Sequence, residues 1–87
     1  MKIAVWDTYV SRENDLTMHF DILVPEGLKD EAKIFGFGNE YLNRKPFKTG
    51  SLQAKECSFC HIEEASVEVQ NEINNKGYYI LEMENCH

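Results

Sequence analysis

The sequence predicts one α+β domain over residues 1–87: a single mixed sheet with an N-terminal β-hairpin and two helices packed on one face. Three patterns carry that expectation. Two stretches near the N-terminus alternate apolar and polar residues with period two, and two later stretches repeat at helical spacing. Two short segments that read as strands precede and follow the second helix, giving the order ββαβαβ.

Residues 2–10 and 16–24 form the hairpin. One parity gives Ala4, Trp6, Thr8 and Val10 on the first strand and Leu16, Met18, Phe20, Ile22 and Val24 on the second, which defines the core face. The polar link Ser11–Asp15 has the length of a longer hairpin loop. Pairing Val10 with Leu16 sets Trp6 opposite Phe20 and Asp7 opposite His19. Pro25 and Gly27 break the second strand, and a helix follows over roughly residues 29–44, with Leu28, Ala32, Phe35 and Leu42 near one stripe and Ile34 and Tyr41 beside it. Asp30 and Glu31 suit its first turn, and Pro46 stops it. Gly36 and Gly38 do not form a dinucleotide-binding loop, because Tyr41 occupies the third glycine position and no strand directly precedes them; they read as close-packing or kink positions. A third strand is expected from Ser51 to about Phe59, with Leu52, Ala54 and Phe59 inward. Ser66 caps a second helix reaching Lys76, Gly77 is its C′ residue, and a final strand runs from Tyr78 to about Met83.

The charge is uneven. Residues 1–55 balance eight acidic against eight basic side chains, whereas residues 56–87 carry seven acids and Lys76 alone, which accounts for the net charge of −6. That surface repels a phosphate backbone, so nucleic acid is not an expected partner. No apolar run is long enough to span a bilayer and no signal-peptide core precedes Asp7, so no membrane partner is expected and the cytoplasm is the expected location. In that compartment three cysteines read as reduced thiols or metal ligands.

Asp7-Thr8-Tyr9-Val10, Met18-His19-Phe20-Asp21, Glu56-Cys57 with Phe59-Cys60-His61, and Gly77-Tyr78-Tyr79 through Met83-Glu84 to Cys86 resemble a family of small bacterial proteins, the domain of unknown function numbered two thousand and twenty-four. The resemblance spans essentially the whole chain. It implies a single small α+β domain and assigns no catalytic residue.

Two constellations carry chemistry. If the last two strands are parallel neighbours joined through the second helix, their C-terminal ends share an edge, and Cys57, Cys60 and His61 approach Cys86 and His87. Three thiolates and one imidazole would then suit zinc. Against this stand a single cysteine pair, no knuckle glycine after Cys60, and opposite faces for Cys57 and Cys60 in a regular strand. A redox role for Cys57 and Cys60 is the alternative, weakened because the helix begins several residues later, near Ser66. The second constellation is Asp7, His19 and Asp21 on the hairpin face opposite the core, where an imidazole between carboxylates suits a general acid/base or a metal ligand. Ile3, Val5 and Leu23 share that face and need a cover, from the chain itself or from a second copy in a homo-oligomer. The expected function is a small non-catalytic binding domain with a Cys/His site at one sheet edge. The alternatives are a thiol redox protein using Cys57 and Cys60, and an acid/base enzyme centred on His19 and Asp7.

Overall fold

β1 (Lys2–Arg12) and β2 (Leu16–Pro25) form the centre of a four-stranded sheet in a computed structural model that describes residues 1–87. α1 (Glu31–Asn43), β3 (Cys57–Glu64), α2 (Val67–Lys76) and β4 (Tyr79–Glu84) complete the α+β domain in the expected order. No helix is long and apolar enough to cross a membrane.

The hairpin register is two residues from the expected one. Arg12 pairs with Leu16, Val10 with Met18, Tyr9 with His19 and Asp7 with Asp21. The link shortens because Asn14 (φ 68°) and Asp15 (φ 57°) turn left-handed, a conformation that short polar side chains tolerate best after glycine. A shift of two leaves every side chain on its expected face. Phe20, Ile22, Met18 and Val24 are fully buried with Ala4, Trp6 and Val10.

The sheet order is β3-β1-β2-β4 and every pairing is antiparallel, so the sheet is not mixed. β3 and β4 occupy opposite edges. α2 therefore crosses the sheet from one rim to the other, and Ile73 packs on Ile3, Val5 and Leu23 of the two central strands. α1 packs on the other face through Ile34, Tyr41 and Leu42. The helices thus cover opposite faces, not one, because β1 and β2 are apolar at both parities near Ile3, Val5 and Leu23.

The α2 caps form as expected, whereas α1 starts at Glu31, so Asp30 is its N-cap and not a first-turn residue. Asp30 Oδ1 accepts from the Lys33 amide (3.2 Å), Ser66 Oγ accepts from the Val69 amide (3.3 Å), and Gly77 follows α2 at φ 95°. Gly38 is a close-packing glycine: a Cβ there would lie 2.9 Å from Ile22 Cδ1.

The third strand begins later than expected. Asn39 on α1 accepts from the Leu52 amide (2.9 Å) and donates to the Leu52 carbonyl (3.2 Å), acting as a strand partner would, so this segment is held to the helix and not to the sheet. Leu52 is buried, but Ala54 and Phe59 are exposed. β4 is tied to α1 where Tyr41 Oη and Lys45 Nζ both donate to Glu82 Oε2, at 2.5 and 2.9 Å. The C-terminal residues are also anchored: Arg12 donates to the carbonyls of Asn85 and His87, and the Asn85 amide donates to Thr17.

Candidate functional site

The sheet face under α2 is divided. Its apolar half, Ile3, Val5 and Leu23, lies beneath the helix, and the next residues of the same parity are Asp7 and Tyr9 on β1 and Asp21 and His19 on β2. Here the central strands turn polar and nothing covers them fully: the side chains of Asp7, His19 and Asp21 are 33, 19 and 13% exposed.

Asp7 and Asp21 are direct cross-strand partners, so two carboxylates face each other. Like charges in that position destabilise a sheet. His19, two residues along and on the same face, reaches over them: its Nε2 lies 2.6 Å from Asp7 Oδ1 and 4.0 Å from Asp21 Oδ1. Tyr9 is the direct partner of His19 and stacks on its ring, with centroids 4.2 Å apart and planes 11° from parallel. The stack fixes the imidazole plane. One ligand atom from each of Asp7, His19 and Asp21 falls within 4.8 Å of the others. Asp21 Oδ1 is buried and has no hydrogen-bond partner.

Burial first, then the facing Asp7 carboxylate, push the Asp21 carboxyl up to about 6; His19 and His61 pull it partly back. Between its ordinary value of 3.8 and about 6 the folded chain keeps a proton that the unfolded chain has released, so stability falls as pH rises through that window. An Asp21→Asn variant, which mimics the protonated acid, is therefore expected to melt above the wild type at pH 8 in metal-free buffer. The gain should disappear at pH 4. Thermal denaturation at the two pH values checks this, and an unchanged or lowered melting temperature at pH 8 contradicts it.

The structure does not assemble the Cys57, Cys60, His61 and Cys86 set. β3 and β4 lie on opposite edges and run antiparallel to one another, so their C-terminal ends do not meet. Cys57 is buried on the α1 face, where Thr8 Oγ1 donates to its sulfur (3.3 Å) and burial pushes the thiol up. Cys86 is buried at the opposite side of the same core cluster, its thiol donating to the His19 carbonyl (3.4 Å). Cys60 is exposed beside His61, and His87 reaches Glu82. Cys57 and Cys60, the expected redox pair, thus occupy a core and a solvent environment respectively.

One concave surface exists, and it lies away from His19. A groove of about 880 Å³ runs beside β3 on the α1 side, floored by Ala4, Trp6, Leu28, Phe59 and Ile62. Hairpin parity places Tyr9 on the face of His19, but not its direct pairing and stacking with that ring, which need the correct register.

A family model described as a domain of unknown function, DUF2024, matches residues 1–83. The chain belongs to that family. This DUF2024 domain is also similar over its full length to protein NE1680 from Nitrosomonas europaea, whose NMR structure was determined as a structural-genomics target. The two share 36% sequence identity, each is covered completely, and the TM-score is 0.76. No curated protein matches the chain.

Proposed function

We propose that this DUF2024 domain is a small non-catalytic binding domain that takes one divalent transition-metal ion of the zinc class at Asp7, His19 and Asp21. The observation that carries the reading is the pair of facing carboxylates beneath a single imidazole, with buried Asp21 Oδ1 making no hydrogen bond. A cation relieves the repulsion between Asp7 and Asp21, which only a proton otherwise relieves. Two carboxylate oxygens and one imidazole nitrogen suit zinc or a neighbouring first-row ion better than calcium or magnesium, which prefer oxygen alone. Ligand atoms around zinc sit roughly 3.4 Å apart, so on binding His19 Nε2 moves away from Asp7 Oδ1, now at 2.6 Å, and closer to Asp21 Oδ1, now at 4.0 Å. Asp7, His19 and Asp21 act as ligands and Tyr9 holds the imidazole plane.

Binding is favoured over catalysis because the only groove lies on the other side of the sheet, so no substrate-sized cavity surrounds His19. Three free thiols suit a reducing compartment, which supports a cytoplasmic setting in a bacterial cell. The acidic second half of the chain disfavours nucleic acid as a partner.

Isothermal titration of chelator-treated protein with zinc at pH 7.5 tests the reading. One ion per chain is expected, with a rise in stability of about 2.7 kcal/mol at a hundredfold excess over Kd. The affinity should weaken below about pH 6 as Asp21 takes up its proton. Absence of heat and of any stability change at millimolar zinc contradicts it.

A further inference from the structure

Neighbouring residues on a regular strand point to opposite sides. Cys60 and His61 break that rule. Trp6 pairs with Phe59 and Val5 with His61, so Cys60 is the extra residue of a β-bulge on β3. The bulge brings the Cys60 sulfur to 3.1 Å from His61 Nδ1, and the other ring nitrogen, Nε2, meets the Glu63 carboxylate. A nucleophile, a base and a group that orients the base follow one another along four residues of one edge strand.

Two further observations point to a ligand. Cys60 is the exposed thiol of the chain, Cys57 and Cys86 each being only 3% exposed. β3 also ends the sheet, so its outer edge pairs with no strand and offers backbone donors and acceptors to a peptide.

We propose that Cys60 is a thiol-modification site, served by His61 and Glu63, that takes up a small peptidyl thiol of the glutathione class by exchange with its disulfide. His61 Nδ1 accepts the Cys60 proton as the sulfur attacks one sulfur of the peptide disulfide. The disulfide's S–S bond breaks and a bond from Cys60 to the attacked sulfur forms. The departing thiolate takes the proton from His61. Cys60 is oxidised and half of the peptide disulfide is reduced, with no other reagent. Glu63 holds the ring so that Nδ1 faces the sulfur. With the other thiols buried, no internal cysteine resolves the adduct, so it persists until an external thiol removes it. The site shares no residue with the proposed cation site but lies on the same sheet face, with His61 opposite Val5, so the test is run with chelator present.

Intact-mass spectrometry and peptide mapping after incubation with oxidised glutathione at pH 7.5 provide the test. A single glutathionyl adduct on Cys60 is expected, forming faster than on N-acetylcysteine amide. His61→Ala should slow it at least about tenfold, and Glu63→Gln by a smaller factor, with unchanged circular dichroism. The loss in His61→Ala should shrink at a pH high enough to ionise the thiol without a base. Three results each overturn the proposal: modification at Cys57 or Cys86 ahead of Cys60, a native rate no faster than the model thiol, or an unchanged rate in His61→Ala.

Discussion

A His19→Ala variant is expected to bind zinc more than about a hundredfold more weakly than the wild type, a larger loss than removal of an outer-shell partner typically causes. His19 supplies the only nitrogen of the cluster, and its Nε2 is the atom that approaches both carboxylates, at 2.6 Å and 4.0 Å. Without it Asp7 and Asp21 remain as two facing carboxylates, an oxygen-only site with no preference for zinc over magnesium. The ring is partly exposed and stacks on an exposed Tyr9, so its removal opens no cavity in the core. Titration calorimetry of wild type and variant measures the effect, and an affinity within a few-fold of wild type contradicts it.

The second large effect falls on stability. Phe20 is fully buried and lies against Tyr41, with ring centroids 4.8 Å apart. Truncating such a side chain removes its transfer energy and leaves a cavity, so Phe20→Ala is expected to cost about 3–5 kcal/mol. A domain of this size has a total stability of roughly 4–13 kcal/mol, so that loss is a large fraction of it. Urea denaturation followed by tryptophan fluorescence checks the value, since Trp6 belongs to the same core cluster. A loss below about 1 kcal/mol would mean that this face does not form the core. Phe20 lies between His19 and Asp21 in sequence but points to the other face, so the folded fraction of the variant should retain its zinc stoichiometry.

The hairpin faces, the two caps of α2 and the Asp7–His19–Asp21 grouping are legible because parity and capping are local properties of the chain. Ser66 and Gly77 bound α2 as the sequence implies, and Gly38 is the close-packed glycine of the two in α1. The register was not legible, because it depends on the left-handed turn at Asn14 and Asp15. That two-residue shift sets Asp7 against Asp21 and Tyr9 against His19, so the two carboxylates face each other directly and the imidazole stacks on the tyrosine ring. The third strand starts at Cys57 and not near Ser51 because Asn39 satisfies the Leu52 backbone from α1, a pairing no periodicity reveals. Strand order was the costliest gap. The run Ile3-Ala4-Val5-Trp6, apolar at both parities, marks β1 as a central strand needing a neighbour on each side. Placing β3 there sends β4 to the other rim and separates Cys57, Cys60 and His61 from Cys86.

Amide chemical shifts followed by two-dimensional NMR during a zinc titration test the cation site most directly. The largest changes are expected at Asp7, Tyr9, His19 and Asp21 and should saturate at one equivalent. Changes centred on Cys57, Cys60 and Cys86, or none at several equivalents, would contradict it.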